Sequence, residues 1–389
     1  MSESIADFRK RFPVLGEKIY LNSCSQGALS QDVEEGMLEY LRSWHEHGSP
    51  WDIWIDQYEA GRRDFAALIG AETEEVALVA SASAGVNALA SALSFQQRNK
   101  VVLGEFEFPT MGHIWLAQRS RGADVIFVEA EKNRLRAEAY DALVDRNTLI
   151  VPLTHMCFMN GFRSPVAEIT KIAHDRGALV LLDDYQDSGT RPIDVKAMQV
   201  DAYVSGTLKY LLGPPGMAFM YVRKAIAESL VPTVTGWFGQ RNPFAFDVKL
   251  FDPAPGTRRF ESGTPPIPTI YGAVAGVKLL QQFGLHNVAD QIRVLTKALI
   301  SGASELAIQI KTPLDSVGPL VVLQSRDADG LVRLFARDGV ICSSRHDGLR
   351  ISFHAYNTLD DVKFVLRLLQ QNLAMLVTAP AAISAGSES

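Results

Sequence analysis

Short aliphatic runs recur through the first 222 residues, and longer segments with mixed polar and apolar positions separate them. Because each run is apolar on both faces, it predicts a strand that is buried in a sheet covered by helices. The predicted strands are Val76–Ala80, Val101–Gly104, Val125–Val128, Leu149–Leu153, Leu179–Asp183, Ala202–Ser205 and Ala218–Val222. Amphipathic segments such as Val166–Arg176 separate them, and Gly177 is a typical stop signal for that helix. This alternation predicts an α/β fold with a seven-stranded, mostly parallel sheet flanked by helices.

The pattern changes after residue 232. Thr233–Pro268 is rich in Pro, Gly and aromatic residues, and helix and strand patterns resume from Tyr271. We predict an N-terminal segment (1–20), a large domain (21–255) and a smaller α/β domain (256–376). The last residues, 377–389, are rich in Ala, Ser and Gly, a composition that predicts a disordered tail.

Composition and charge exclude several classes of protein. Hydrophobic residues make up 47% of the chain and charged residues 21%, as in an ordinary globular enzyme. A formal net charge of −6 argues against nucleic-acid binding, which needs a basic surface. No apolar run approaches the roughly 20 residues of a membrane span, and the first residues lack the apolar core of a secretory signal. The three cysteines have no metal-ligand or disulfide spacing, so we expect no metal site and a cytoplasmic location.

The chemistry-bearing residues cluster between Leu179 and Val222. Asp183 ends one predicted strand, Lys209 follows the next, and a Gly-Pro-Pro-Gly turn leads into a third. Ligands of α/β sheets lie beyond the carboxyl ends of the strands, where Asp183 and Ser205 fall. An amine that forms an imine and a carboxylate that keeps a pyridine nitrogen protonated are what pyridoxal 5'-phosphate (PLP) requires. The sequence therefore predicts a PLP enzyme with Lys209 as the catalytic lysine.

The flanking residues refine this prediction. Leu208 and Tyr210 should partly desolvate Lys209, which lowers the pKa of its amine. Side chains alternate along a strand, so only one of Asp183 and Asp184 can face the cofactor. We choose Asp183, because Gln186 then completes a D-x-x-Q arrangement and can donate to the phenolate oxygen of PLP.

Three further features predict cofactor contacts. Ala82–Asn87 follows a strand and opens a helix whose N-terminus would favour a phosphate. Ser205 and Thr207 could each add a hydroxyl donor, and the sequence does not choose between them. Phe108, after the second strand, is placed to stack on the pyridine ring.

Taken together, these motifs resemble the class V aminotransferase-like PLP enzymes, which have fold type I. That family includes cysteine desulfurases, selenocysteine lyases, kynureninases and isopenicillin N epimerases. The resemblance covers about residues 15–375. The segments that carry it are LNSCSQGAL, SASAGVNALA, EFEFPT, LTHMCFMNG, LLDDYQDSG, SGTLKYLLGPPG, RRFESGTPPIP and RISFHAYNTLDDV.

The resemblance implies roles for individual residues. Lys209, Asp183 and Gln186 keep the roles given above, and Ser83 with Ala84 looks like the phosphate-binding pair. Thr264 is similar to a threonine that reaches the phosphate of the neighbouring subunit, which implies a homodimer with shared active sites. Arg350 looks like the arginine that binds the substrate α-carboxylate through a bidentate pair.

The chain also departs from the family pattern. Cysteine desulfurases carry a nucleophilic cysteine in an R-x-G-x-H-C loop, whereas Cys342 comes too early and the loop here is short. We therefore expect Cys342 to be a buried packing residue. Cys24, between two serines near the expected mouth of the site, stays a candidate substrate contact. His155, just after a predicted strand, is the best histidine candidate for the same role.

The resemblance implies an enzyme that acts on a small α-amino acid via an external aldimine, with lyase or transaminase chemistry. Amino-acid epimerisation and cysteine or selenocysteine lyase activity are alternatives that the same residues allow. A catalytically idle PLP-binding protein is the alternative from a different class. The presence of Lys209, Asp183 and Arg350 together argues against it.

Overall fold

The computed structural model describes residues 3–378. Its helices, in chain order, are α1 (Ile5–Lys10), α2 (Gln31–His47), α3 (Trp51–Ile69), α4 (Ala82–Ala92), α5 (Pro109–Ala117), α6 (Ala137–Leu143), α7 (Val166–Asp175), α8 (Lys224–Ser229), α9 (Ile267–Phe283), α10 (Leu285–Glu305), α11 (Ala328–Arg337) and α12 (Leu359–Gln371). Its strands are β1 (Ile19–Tyr20), β2 (Val76–Val79), β3 (Lys100–Gly104), β4 (Asp124–Val128), β5 (Thr148–Thr154), β6 (Leu179–Asp183), β7 (Ala202–Gly206), β8 (Ala218–Val222), β9 (Leu320–Gln324), β10 (Val340–Ile341), β11 (Ser343–Arg345) and β12 (Gly348–Ser352).

The predicted seven-stranded sheet is confirmed. Its order is β2-β8-β7-β6-β5-β3-β4. The strand β8 runs in the opposite direction to the other six, so its pairs with β2 and β7 are antiparallel. The other neighbouring pairs are parallel, so β5, β6 and β7 present their carboxyl ends at one edge. Two apolar cores cover the two faces of the sheet, which explains why its strands are apolar on both sides.

A second unit follows α9. The antiparallel sheet β11-β12-β9 packs with α10, α11 and α12 around a separate apolar core. The short strand β1 pairs with β10, so the N-terminal segment is tied to this unit. The helix α9 itself packs on α2 and α3 of the large domain. The predicted domain boundary at residue 256 stays a prediction.

The tail prediction falls mainly on residues 379–389, which lie outside the described residues. Val377 and Thr378, the first two residues of the predicted tail, are paired with the chain at Ile308 and Gln309. Among residues 3–378, no helix is both long enough and apolar enough to cross a lipid bilayer.

A buried ion pair fixes the segment that leads to Thr264. Glu261 accepts a hydrogen bond from Arg62 at 2.6 Å and one from the backbone N–H of Leu78 in β2 at 3.0 Å. Both side chains are buried, and the Arg62 guanidinium also lies 5.2 Å from the ring centroid of Tyr58. This contact joins α3, β2 and the loop before α9.

We expect Glu261→Ala to destabilise the chain by about 3–5 kcal/mol, because it removes the buried partner of Arg62 and leaves only the more exposed Glu59 beside that charge. Glu59 also binds Arg62 but is more exposed, so Glu59→Ala should cost at most about 1 kcal/mol. Urea unfolding followed by tryptophan fluorescence measures both. Equal losses in the two variants would show that the buried pair has no special role.

Candidate active site

A cavity of about 400 Å³ lies where the carboxyl ends of β5 and β6 and the loop after β7 meet the N-terminus of α4. The hairpin β11–β12 closes it from the side of the smaller sheet. Seven of the residues predicted from the sequence line this cavity, namely Cys24, Ser83, Phe108, Asp183, Gln186, Lys209 and Arg350. Residues more than 300 positions apart in the sequence thus share one site.

Lys209 projects into the cavity from the loop after β7. Its Nζ lies 4.3 Å from the ring centroid of Tyr185 and 5.8 Å from that of Phe108. Burial lowers the pKa of its ammonium from 10.5 to about 8, although the attraction of Asp183 opposes this shift. About a tenth of the amine is therefore neutral, and nucleophilic, at pH 7.

Asp183 ends β6 and supplies the carboxylate of the cavity. One oxygen accepts a hydrogen bond from the backbone N–H of Tyr185 at 3.1 Å, and no other hydrogen bond to this carboxylate occurs among residues 3–378. Burial raises the pKa of Asp183 to about 6. The neighbouring Asp184 points away, to the Tyr203 hydroxyl at 2.7 Å and His155 Nδ1 at 2.5 Å.

Glu107 is a second buried acid behind Asp183, and the sequence did not single it out. Its carboxyl accepts a hydrogen bond from the backbone N–H of Thr154 at 2.6 Å. Burial, with repulsion from Asp183, raises the pKa of Glu107 well above its usual range. Burial and this repulsion favour the protonated form of Glu107, and Asp183 is the one of the two acids that lines the cavity.

Gln186 and Cys24 are joined across the cavity wall. Gln186 Nε2 donates to the backbone carbonyl of Cys24 at 3.0 Å, while Gln186 Oε1 is buried without a partner among the described residues. The Cys24 thiol is buried and lies 3.9 Å from the Ser343 hydroxyl. Both side chains reach the cavity, and their roles stay predictions.

The helix α4 begins at the opposite end of the cavity. Ser81 caps it, since its hydroxyl accepts a hydrogen bond from the backbone N–H of Ala84 at 3.0 Å. The N–H groups of the first turn, at Ala82 and Ser83, have no acceptor within the helix and lie at the cavity wall. Ser83 and Thr110, whose hydroxyls are 3.4 Å apart, add two hydroxyl groups there.

Five of the predicted site residues do not line the cavity, namely Ala84, His155, Ser205, Thr207 and Thr264. The Thr207 hydroxyl donates to the carbonyl of Pro214 at 2.6 Å, and the Ser205 hydroxyl donates to that of Gly206 at 3.2 Å. Thr264 is exposed on its own chain. The hydroxyls of Ser205 and Thr207 are therefore occupied by the turn that holds Lys209.

His155 belongs to a buried network beneath Asp183. Its Nε2 faces Arg191 at 2.8 Å, and Asp187 binds both Arg191 and Arg163. The backbone N–H of His155 donates to the carbonyl of Asp183 at 2.9 Å. The backbone of His155 thus binds the end of β6, which carries Asp183. Its imidazole ring contacts the buried network and not the cavity.

Arg350 lies in β12 and is 1% exposed. Its guanidinium donates to the carbonyl of Phe158 at 3.0 Å and to the hydroxyls of Ser25 and Ser343 at 2.8 and 2.9 Å. Its Nε is buried without a partner, and no carboxylate pairs with it among residues 3–378. A buried positive charge with only neutral acceptors is suited to bind an anionic ligand.

Tyr185 is the main cavity residue that the sequence analysis missed. Its ring lies over Gly206 of the neighbouring strand, where any Cβ would overlap it. Burial raises the pKa of its hydroxyl to about 12, so the phenol is neutral. The available signal was a large aromatic residue after β6 and a glycine at the end of β7. It indicates a contact only when the two strands are known to be neighbours.

The residues fit PLP at four points. Asp183 offers a carboxylate with a free oxygen, Lys209 an amine of lowered pKa, and the first turn of α4 unpaired N–H groups for a phosphate. Phe108, whose side chain is 46% exposed, and Tyr185 supply two aromatic faces beside Nζ of Lys209. This donor set is complementary to a pyridine, an aldehyde and a phosphate on one molecule.

Comparison with known proteins agrees with this site. Residues 19–365 match the family model of aminotransferase class-V. An uncharacterised aminotransferase of Bacillus subtilis, YcbU, is 33% identical over 360 residues, which span 92% of this chain and 95% of that protein.

Solved structures share the fold. The apo structure of a cysteine desulfurase from Thermococcus onnurineus aligns with a TM-score of 0.87 at 23% identity, over 95% of this chain and 99% of that one. A mutant of C-DES, with glycine covalently linked to its PLP cofactor, aligns with a TM-score of 0.86 at 21% identity, over 92% of this chain and 98% of that one. The chain belongs to the class V aminotransferase family of enzymes and has fold type I.

Proposed function

We propose that this chain is a PLP-dependent enzyme that acts on a small α-amino acid, with lyase or aminotransferase chemistry. One observation carries the proposal: three groups line the same cavity. They are the amine of Lys209 with its lowered pKa, the carboxylate of Asp183, and the buried guanidinium of Arg350, which has no carboxylate partner among residues 3–378. A catalytically idle binding protein would not need the guanidinium of Arg350 in addition to the cofactor contacts.

Each residue has a defined task in this proposal. PLP supplies an aldehyde for the substrate amine and a pyridine ring that accepts electrons from the substrate carbon. Asp183 would keep a proton on the pyridine nitrogen, and Gln186 would donate toward the phenolate oxygen through the second Nε2 hydrogen, since the first goes to the Cys24 carbonyl. Lys209 attaches the cofactor through Nζ and, once released by the substrate, holds or moves the proton of the substrate α-carbon.

The substrate end lies on the other side of Lys209. Arg350 is oriented by hydrogen bonds to Phe158, Ser25 and Ser343. It would bind the α-carboxylate through the guanidinium N–H groups that these three contacts leave free. Such orientation restricts the α-carbon to the neighbourhood of Lys209 Nζ.

The cysteines favour an enzyme without a persulfide-carrying loop. Cys342 lies between β10 and β11 and is buried, and burial raises the pKa of its thiol to about 12. A thiol that stays protonated in a buried position is a poor nucleophile. This supports chemistry on the amino acid itself rather than sulfur transfer to a protein acceptor. A cytoplasmic location stays a prediction from the sequence.

A homodimer with shared sites completes the proposal. The helix α2 exposes Leu38, Leu41 and Trp44, and the segment 244–251 exposes several more large apolar side chains. Apolar surface of this extent is typical of an interface. Thr264 is exposed on its own chain, outside the cavity, as a contact to the partner's cofactor requires.

We expect Lys209→Ala to abolish covalent attachment of the cofactor and to lower turnover by several orders of magnitude. Borohydride reduction followed by peptide mass analysis should place the adduct on Lys209 of the unmodified chain. Lys224→Ala, which removes a surface lysine paired with Glu74, is the matched control and should retain the adduct. An adduct on any other lysine would refute the proposal.

The rate at which apoprotein takes up PLP covalently should rise with pH, with a midpoint at about 8, and level off roughly one pH unit above it. Only the neutral amine reacts, and a pKa of about 8 leaves roughly a quarter of Lys209 neutral at pH 7.5. Asp183 raises the pKa of Lys209, so Asp183→Asn should move the midpoint of this profile to lower pH. Stopped-flow absorbance measures both profiles. A midpoint near 10 in the unmodified chain would contradict the buried amine.

Light scattering should give twice the mass of one chain, and Thr264→Val should weaken PLP binding about tenfold without changing that mass. Ser262→Ala, an exposed hydroxyl two positions earlier, is the control and should bind PLP normally. Fluorescence titration of apoprotein with PLP measures the affinities. A monomeric mass would rule out shared sites.

A further inference from the structure

The hairpin β11–β12 places a second arginine in the cavity, beside Arg350. In the antiparallel register Ser343 pairs with Arg350, and Arg345 pairs with Gly348. Residues two apart on a strand share a face, so Arg345 lies on the face of Ser343, diagonal to Arg350. Arg345 also lines the cavity.

No carboxylate neutralises Arg345 among residues 3–378. Its only hydrogen bond from the guanidinium in that range goes to the carbonyl of Ser344, at 2.7 Å. The nearby acids are used elsewhere: Asp329 accepts a hydrogen bond from the Ser344 hydroxyl, and Asp347 pairs with Lys311. Both guanidinium groups of the hairpin thus face the cavity without an acidic partner.

The cavity therefore holds more positive charge than the cofactor accounts for. Arg345 and Arg350 repel each other and both act on Lys209. Burial and this repulsion lower the pKa of Arg345. The phosphate of PLP belongs at the first turn of α4, where the unpaired N–H groups are, and the α-carboxylate occupies one arginine. One cation is left over.

We propose that Arg345 binds a second acidic group on the substrate, so that this enzyme acts on α-amino acids whose side chain ends in an anion. The inference rests on the proposed function, because it assigns the α-carboxylate to Arg350. The preferred side chain carries a carboxylate or an oxidised sulfur acid, since both present oxygen pairs that match a guanidinium.

Matched pairs of ligands test the proposal on the holoenzyme. L-aspartate and L-asparagine, and L-glutamate and L-glutamine, have the same shape and differ in the side-chain charge. Titration read by the absorbance of the bound cofactor should show about tenfold or more tighter binding of at least one acid than of its amide. L-cysteine sulfinate tests the oxidised sulfur group in the same way.

Three variants assign the effect to Arg345. Arg345→Gln should reduce the acid-to-amide preference to about one, and Arg345→Lys should retain part of it. Arg337→Gln, an exposed arginine on α11 outside the cavity, is the control and should leave the preference unchanged. Since Arg345 is exposed on the hairpin, these changes should not alter folding.

Calorimetric titration with succinate and with its monoamide gives a second readout that needs no cofactor absorbance. Succinate should bind more tightly, because it can engage both arginines. Equal binding of acids and amides, or a preference that persists in Arg345→Gln, would overturn the inference. So would loss of cofactor from Arg345→Gln, since it would place the PLP phosphate at this arginine. Failure of the proposed function differs from all of these, because the borohydride adduct on Lys209 would then be missing.

Discussion

The site depends on the electrostatic balance between Asp183 and Lys209 in a cavity that excludes much of the water. Burial alone would favour a neutral acid and a neutral amine, and it moves the two pKa values toward each other, to about 6 and about 8. At pH 7 the carboxylate is then mostly ionised, and a fraction of the amine is free. A lysine more exposed to water would stay protonated at pH 7. An aspartate buried without the nearby Lys209 would have a higher pKa and would lose its charge more easily. Burial and repulsion from Asp183 also raise the pKa of Glu107, the second buried acid behind it, well above its usual range.

The parallel sheet is what holds these two groups in place. Asp183 ends β6 and the loop after β7 carries Lys209, so the hydrogen-bonded register of two central strands sets their separation. Gly206 then gives room for the Tyr185 ring, which lies beside the amine. The network of Asp184, Asp187, His155 and the two arginines fixes the strand ends from below. None of these five residues lines the cavity, so the strand ends are held by side chains outside it.

The sequence was sufficient for the scaffold and for one end of the site. The seven strands could be predicted because each is buried on both faces, and Asp183 and Lys209 could be predicted because both follow such runs. Phe108 was predicted from its place after a strand and Arg350 from the resemblance, and both line the cavity. Tyr185 and Glu107 were missed, since their roles depend on which strands are neighbours and on burial. Arg345 was missed because only the register of the hairpin β11–β12 places it beside Arg350. The hydroxyls of Ser205 and Thr207 donate to backbone carbonyls. The sequence does not show which acceptor each hydroxyl has, so this could not be predicted.

The two ends of the cavity are built by different parts of the fold, and this separation bears on specificity. The groups proposed to bind the cofactor lie on β6, the loop after β7 and α4, which are parts of the large domain. The two groups proposed to bind the substrate, Arg350 and Arg345, lie on one hairpin of the smaller sheet. Substitutions in that hairpin can change which amino acid is bound. Their effect on the pKa values of Lys209 and Asp183 is limited to the electrostatic effect of any charge that they remove. A family with one cofactor site and many reactions is expected to vary at such a hairpin, because the hairpin is proposed to contact the substrate and does not set the sheet register that positions the lysine.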